Sequence, residues 1–213
     1  MNTFREAVLL VEDHVMVRQG LRSLLAGSGY RTVLEASDAR EAYRLFCDER
    51  PSLVITDLTL PGRGGLALIR RIHARAPGVR ILAVSMHEET IFAQRVMQAG
   101  GSAYIAKRAA ADELLEALRV VRAGERYVDT LTSRQLAIDA VSPLDSGAYR
   151  LSAREFEIFR ALAEGATPRK IAHDFNLSVN TVGNHRRSIM RKLGARSTAD
   201  LVRIALRERV IST

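Results

Sequence analysis

Apolar residues in the first 125 positions cluster into short continuous runs, and the stretches between these runs carry apolar residues at helical spacing. Continuous apolar runs are typical of strands that are buried on both faces of a parallel sheet. They predict five strands, at 7–11, 31–36, 53–56, 79–84 and 102–106. The intervening stretches predict five helices, at 15–26, 39–49, 66–75, 88–99 and 112–123.

Strands and helices alternate strictly along this part of the chain. Such alternation requires right-handed crossovers, which place the strands in parallel and cover both faces of the sheet with helices. The sequence therefore predicts a doubly wound α/β domain with a five-stranded parallel sheet. In open sheets of this kind, functional sites form beyond the carboxyl ends of the strands. Candidate chemistry is therefore expected there.

The pattern becomes entirely helical after residue 150. Four residues suited to helix N-caps predict four helix starts: Ser152, Thr167, Ser178 and Ser197. Glu155 completes a capping box with the first, and Pro168 follows the second at the first helical position. Two short helices joined by a tight turn, the second basic on its free face, favour a helix-turn-helix. A small helical bundle without nucleic-acid chemistry is the alternative.

A looser segment separates the two parts. Between residues 124 and 150 the periodicity weakens, although 131–141 has helical character, and Ser142-Pro143 followed by Asp145-Ser146-Gly147 is a turn signal. We therefore predict a domain at 1–124, a linker at 125–149 and a second domain at 150–213.

Charge is distributed unevenly between these parts. Residues 1–150 hold 20 basic and 18 acidic residues, whereas 151–213 hold 12 and 6, so the net charges are +2 and +6 of the total +8. No acidic residue occurs between Phe175 and Ala199. A basic block of this kind suits a polyanion such as nucleic acid, although a solvated helix face would look similar.

The amino terminus and the cysteine content give an expectation about location. The apolar run that precedes Glu12 and Asp13 is too short and too close to acidic residues for a signal peptide or a membrane span. Cys47 is the single cysteine, which suits a reducing compartment. We expect a cytoplasmic protein without membrane association. The five histidines are scattered in the sequence and predict no zinc site.

Residues suited to phosphoryl chemistry follow four of the predicted strands. Glu12 and Asp13 follow the first, Asp57 ends the third, and Ser85 and Lys107 follow the fourth and fifth. Clustered carboxylates need a hard cation such as Mg²⁺, and a carboxylate can accept a phosphoryl group. An ammonium group and a hydroxyl group would bind the oxygens of that anion.

The segments VLLVEDH, VITDLTLPG, ILAVSMHE and SAYIAK resemble the receiver domain of two-component response regulators over residues 7–123. The resemblance implies a flavodoxin-like sheet of strand order 2-1-3-4-5. It implies that Asp57 is the phosphorylation site. It also implies that the Mg²⁺ ligands are Glu12, Asp13, Asp57 and the backbone carbonyl of Thr59. The residues that respond to the phosphoryl group or contact it would be Ser85, Tyr104 and Lys107.

The segments LSAREFEIFRALAEG and KIAHDFNLSVNTVGNHRRSIMRKLGARS resemble the LuxR-type helix-turn-helix of the NarL/FixJ group over residues 150–211. The resemblance implies that 179–193 is the DNA-recognition helix. Gly183 departs from the pattern, because a lysine or another larger residue is common there. By this match, Gly183, Asn184 and Arg187 fall where the family meets base edges and phosphates. Asn and Arg suit adenine and guanine edges in the major groove, and the exposed face of the helix offers such residues. The full set of predicted DNA-binding residues is Asn180, Thr181, Gly183, Asn184, Arg187, Arg191 and Lys192.

Together these features predict a DNA-binding transcriptional response regulator and not an enzyme. A sensor histidine kinase would phosphorylate Asp57, and the phosphorylated chain would form a homodimer on double-stranded DNA. Three alternatives stay open: a DNA binder that does not depend on phosphorylation, an aspartyl-phosphate phosphatase, and an RNA-binding protein. Thr59 stands where such a phosphatase would need a second acid, and 179–192 has no aromatic residue for stacking on RNA.

Overall fold

A computed structural model describes residues 5–26, 30, 32–60, 64–86, 90–108, 111–141, 147–208 and 210–211. Its amino-terminal part contains a parallel sheet in the order β2-β1-β3-β4-β5-β6. This arrangement confirms the predicted α/β class and the order of the first five strands. The strands are β1 (Arg5–Val11), β2 (Thr32–Ala36), β3 (Pro51–Asp57), β4 (Arg80–Ser85), β5 (Ala103–Ala106) and β6 (Tyr127–Val128).

Five helices connect the six strands and cover both faces of the sheet. Side chains of alternate strand residues, such as Leu10 and Ile55, join buried residues of the last of these helices in one apolar cluster. Asp38 caps the second helix by accepting hydrogen bonds from two backbone N–H groups. The helices are α1 (Val15–Leu25), α2 (Ala39–Glu49), α3 (Gly64–Arg75), α4 (Thr90–Gln98) and α5 (Ala111–Arg122).

The sixth strand corrects the predicted count of five. Tyr127 and Val128 pair in parallel with Ala103 and Tyr104 of β5. Two residues are too few to produce a recognisable apolar run, so the strand could not be identified from periodicity. Helix α6 (Thr130–Val141) begins at the carboxyl end of β6. Its start is capped by Asp129, which is 2% exposed and accepts hydrogen bonds from the backbone N–H and the hydroxyl of Thr132.

The carboxyl-terminal part is helical, as predicted. A 3₁₀ helix (Gly147–Arg150) precedes α7 (Ala153–Ala163), α8 (Pro168–Asp174), α9 (Val179–Leu193) and α10 (Thr198–Arg207). All four predicted N-caps accept a backbone hydrogen bond at the expected position, and Ser152 and Ser197 form capping boxes. Gly194 ends α9 in the left-handed conformation, with φ of 66°.

The chain divides into two compact units, Met1–Gln135 and Leu136–Thr213. The division falls within α6, where the sequence predicted a linker. Of the turn predicted at 142–147, residues 142–146 lie outside the described residues, and Gly147 begins the 3₁₀ helix. The domain limits 1–124, 125–149 and 150–213 therefore stay predictions.

Candidate acidic site and nucleic-acid interface

The strand register brings the predicted acidic residues to one edge of the sheet. Val11 pairs with Thr56, so Glu12 and Asp57 are adjacent at the ends of β1 and β3. Asp57 in turn pairs with Val84, which puts Ser85 one residue beyond it on β4. Because parallel strands end at the same edge, residues far apart in sequence meet here.

Lys107 links two of these acids. Its Nζ donates a hydrogen bond to Oδ2 of Asp57 at 2.9 Å and lies 2.7 Å from Oε2 of Glu12. The carboxylates of Asp57 and Glu12 are 2% and 1% exposed. Burial alone would lower the pKa of Lys107, but the two neighbouring carboxylates outweigh it and raise that pKa above its usual value. Lys107 is therefore firmly cationic.

The phosphoacceptor candidate is held from both sides. The backbone N–H of Thr59 donates to Oδ1 of Asp57 at 3.0 Å, so both carboxylate oxygens have a donor. Gly65 at the start of α3 packs against the backbone of Asp57, and a Cβ at Gly65 would lie 2.1 Å from the Asp57 carbonyl oxygen. A glycine is required there because any side chain would push α3 away from this edge.

Ser85, one of the predicted switch residues, follows Val84, the residue that pairs with Asp57. The backbone N–H of Lys107 donates to the carbonyl oxygen of Ser85 at 2.6 Å, which ties the ends of β4 and β5 together. Ser85 and Tyr104 are fully buried.

Two side chains that the sequence had not singled out, those of His14 and Arg18, also reach the site. Nδ1 of His14 lies 2.9 Å from Oδ1 of Asp13 and 3.2 Å from Oε1 of Glu12. Arg18 donates to the carbonyl oxygen of Glu12 at 2.6 Å and to Glu35 on β2 at 3.1 Å. Arg18 therefore fixes the backbone that carries the acidic pair. The helical spacing of α1 could have placed Arg18 near Glu12, but its partner on β2 is not visible from spacing.

The donor set at this edge suits a hard divalent cation. The carboxylates of Glu12 and Asp57 share the ammonium of Lys107, and Asp13 adds a third carboxylate beside Glu12, so the acids outnumber this ammonium. Oxygen ligands of this kind are those that Mg²⁺ prefers. His14 adds one nitrogen, and the ligand atoms of Glu12, Asp13 and His14 lie within 4.8 Å of one another. The residues present thus fit the Mg²⁺ expectation.

In the carboxyl-terminal unit, α9 presents a polar and basic face. Val182 and Ile189 are fully buried on its inner side. The hydroxyl of Thr181 interacts with that of Ser178 at the N-cap, and Arg187 donates to the side-chain oxygen of Asn184. The predicted DNA-binding residues are all exposed or half-exposed: Asn180, Thr181, Gly183, Asn184, Arg187, Arg191 and Lys192.

Glu155 of α7 anchors α9 from the inside. Its carboxylate accepts hydrogen bonds from Ser188 Oγ at 2.7 Å, Lys192 Nζ at 2.6 Å and the backbone N–H of Ser152 at 2.7 Å. Burial alone would raise the pKa of Glu155, but these donors, Lys192 foremost, lower it to about 2. Lys192 is therefore engaged within the unit, unlike the exposed Arg191.

Residues 8–119 match the family described as response regulator receiver domain, and residues 149–205 match bacterial regulatory proteins of the luxR family. The chain belongs to the response regulators. It is similar to the response regulator UvrY of Escherichia coli K12, with 34% identity over 203 residues, 94% of this chain and 93% of that one. The response regulator GacA of Pseudomonas aeruginosa is 33% identical over 207 residues, 96% of this chain and 97% of that one.

Solved structures agree with this assignment. The structure of RcsB from Salmonella enterica serovar Typhimurium, bound to promoter rprA in the presence of phosphomimetic BeF₃⁻, matches with a TM-score of 0.71 and 25% identity. The match covers 94% of this chain and 98% of that one. This response regulator is thus a member of the NarL/FixJ group with a receiver domain and a LuxR-type DNA-binding domain. In the described part of the chain, no helix has the length and apolar character needed to cross a bilayer.

Proposed function

We propose that Asp57 accepts a phosphoryl group from a sensor histidine kinase and that this modification controls binding of the carboxyl-terminal domain to double-stranded DNA. The observation that carries the proposal is the buried carboxylate of Asp57, whose Oδ2 shares the Lys107 ammonium with Glu12. Glu12, Asp13 and Asp57 outnumber the ammonium of Lys107, so the site favours binding of a cation such as Mg²⁺. A phosphoryl group could then enter together with that cation.

The residues of the site have different roles in phosphoryl transfer. Oδ1 or Oδ2 of Asp57 attacks phosphorus, and the phosphorus–nitrogen bond to the kinase histidine breaks. Lys107 then pairs with a phosphoryl oxygen in place of the carboxylate, and the Ser85 hydroxyl supplies a neutral donor. When bound by Glu12, Asp13, Asp57 and the Thr59 carbonyl, Mg²⁺ would neutralise charge that develops on the phosphoryl oxygens.

Movement at the strand ends would carry the signal onward. Lys107 is bonded through its backbone to Ser85, so a shift of its side chain toward a phosphoryl group acts on both β4 and β5. Tyr104, the aromatic switch residue that the resemblance implies, is fully buried on β5. We place the first change at Lys107 and Ser85, with Tyr104 moving to fill the space behind Ser85, as a population shift driven by local charge.

DNA contact is assigned to the solvent face of α9. Asn180 and Asn184 suit adenine edges in the major groove, and Arg187 suits guanine, whereas Arg191 suits the phosphate backbone. Lys192 holds α9 to Glu155 and is assigned a positioning role. Thr181 supports the helix start, and a homodimer would read two half-sites. The RcsB structure bound to a promoter supports this arrangement by similarity.

The first test is intact-mass spectrometry after incubation of the full chain with acetyl phosphate and Mg²⁺. We expect one hydroxylamine-sensitive phosphoryl group on the wild type and none on Asp57→Asn. A folded wild type that gains no phosphoryl group would leave a DNA binder independent of phosphorylation. A gain that persists in Asp57→Asn would assign the modification to another residue.

The second test follows the consequence of modification. Duplexes selected from a random library by the wild type should bind the phosphorylated chain more tightly than the unmodified chain, as measured by fluorescence anisotropy. Analytical ultracentrifugation should detect a dimer in the phosphorylated sample. Equal affinity in both states would contradict control by Asp57, and a phosphorylated monomer would contradict the homodimer.

A further inference from the structure

Gly183 lies inside α9, and the fold gives no reason for a glycine there. Among the described residues, the glycines with positive φ include Gly165 and Gly194 at helix ends, and Gly183 is not one of them. A Cβ added at Gly183 would meet no heavy atom within 4 Å. Glycine lowers helix stability relative to alanine, so the fold alone would favour a larger residue here.

The position of Gly183 suggests why this cost is tolerated. It lies three residues after Asn180 and four before Arg187, so these three positions share one face of α9. Asn180 and Arg187 are exposed on that face, and Val182 points the other way into the core. The polar surface assigned to base contacts therefore has a gap beside Asn180 and Arg187, where no side chain projects.

A gap of this kind complements a projecting group on the DNA. In the major groove, the bulkiest projecting group is the C5-methyl of thymine, whereas the other base edges present hydrogen-bonding atoms. Asn180, one turn before the gap, and Asn184, the residue that follows it in the chain, are suited to adenine, the partner of thymine in each A·T pair. The surroundings of the gap and its shape thus favour the same base pair.

We infer that Gly183 is a specificity-determining residue, and that its missing side chain admits the methyl group of a thymine in the operator. This inference rests on the proposed binding of double-stranded DNA by α9. Alanine would fill the space that the methyl group needs, while lysine would add a donor that favours guanine in place of thymine.

The experiment combines a protein variant with a modified base. Binding sites are selected by the phosphorylated wild-type chain, and each thymine of the selected duplex is replaced in turn by deoxyuridine, which lacks the methyl group. Affinities of the wild type and of Gly183→Ala are measured for every duplex. Gly20→Ala is the matched control, because Gly20 lies inside α1, lacks positive φ and also has no atom within 4 Å of an added Cβ.

We expect Gly183→Ala to raise the melting temperature by several degrees and to weaken binding to the selected duplex about tenfold. One deoxyuridine position should restore most of the lost affinity for this variant and have little effect on the wild type. Gly20→Ala should also raise the melting temperature, but its preference among the duplexes should match that of the wild type. Sites selected by Gly183→Lys should carry guanine at the restored position.

The outcomes separate this inference from the proposed function. A wild type that binds no double-stranded DNA would overturn the proposed function itself. If the wild type binds and Gly183→Ala binds equally well, Gly183 does not determine specificity. If Gly183→Ala loses affinity and no deoxyuridine restores it, the assignment to a thymine methyl group is wrong.

Discussion

Each of the two units buries a carboxylate against a lysine, but the two pairs differ in their surroundings. Asp57 at the end of β3 lies 2.9 Å from Lys107, and Glu155 of α7 lies 2.6 Å from Lys192. Both acids are almost fully buried, at 2% and 6% exposed. By distance and burial alone they would be assigned the same role.

The two sites differ in the number of hydrogen-bond donors that are available to each carboxylate. Glu155 stands alone and receives donors from Lys192, Ser188 and a backbone N–H, so its charge is fully compensated. At the receiver edge, Lys107 serves Asp57 and Glu12 together, and Asp13 adds a third carboxylate. A compensated buried acid stabilises the fold, whereas an uncompensated cluster stores repulsion that a cation relieves. Charge balance therefore identifies the chemical site better than burial does.

The largest effect should come from removing the compensated acid. Glu155→Ala leaves the donors of Ser152 and Ser188 without their acceptor and separates α7 from Lys192. We expect the unfolding free energy of the carboxyl-terminal unit to fall by about 2–3 kcal/mol, less than for a fully buried pair because Lys192 is partly exposed. Urea unfolding followed by circular dichroism measures the loss, and hydrogen exchange assigns it to α7–α10.

The control for this variant is Glu164→Ala. Glu164 is 47% exposed and lies 3.4 Å from Arg160, so the change should cost less than about 0.5 kcal/mol. Equal losses for the two variants would contradict the special role of Glu155.

Lowering the pH should remove the contribution of Glu155 to the unfolding free energy. The pKa of Glu155 is lowered from 4.5 to about 2 in the folded protein, so its contribution is fully present above pH 4.5. The contribution disappears as the pH falls from 4.5 toward 2, because the unfolded chain then binds the proton more readily. The difference in unfolding free energy between the wild type and Glu155→Gln should shrink over this interval. A difference that is constant with pH would contradict the lowered pKa.

Sequence patterns predicted the receiver site better than the Glu155 anchor. Parallel strands end at one edge, so residues that follow successive apolar runs must meet, and the positions of Glu12, Asp57 and Lys107 followed from the strand pattern alone. Glu155 could be predicted only as a capping-box residue. Its contact with Lys192 joins two residues that are 37 positions apart and lie on different helices, and helix packing is not encoded in any local pattern.

Short elements and lateral contacts also escaped prediction. Strand β6 has two residues, which is below the length at which alternation or a run can be recognised. Arg18 reaches Glu35 on a neighbouring strand, a contact that depends on the rotation of α1 against the sheet. Periodicity fixes which face of a helix is buried, but not which polar side chains at its border will meet.

A further buried acid, Asp129, tests whether the number of donors, and not the location in the molecule, decides the role of a buried acid. Asp129 lies in the receiver unit, yet it resembles Glu155, because it accepts from the N–H of Ala106 and from two groups of Thr132. We expect Asp129→Ala to lower the unfolding free energy of this unit by about 1–2 kcal/mol through loss of the cap and of these bonds. Asp129→Asn keeps an acceptor and should lose less.

Tyrosine fluorescence can follow the Asp129 variants, since Tyr104 and Tyr127 belong to the receiver unit. Addition of Mg²⁺ should not change the loss in Asp129→Ala relative to the wild type. A loss that disappears in Mg²⁺ would place Asp129 with the uncompensated acids, and the distinction drawn from donor number would fail.

The smallest predicted effect is an increase in the unfolding free energy. Asp13→Asn removes one negative charge from the uncompensated cluster, so without divalent cations we expect the unfolding free energy to rise by about 0.5–1 kcal/mol. With Mg²⁺ the order should reverse, because the wild type is stabilised by binding the cation and the variant binds it weakly. Asp48→Asn, at a side chain that is 58% exposed, is the control and should change little in either condition. If Asp13→Asn is destabilising without Mg²⁺, the acids at this edge are already compensated and the contrast with Glu155 does not hold.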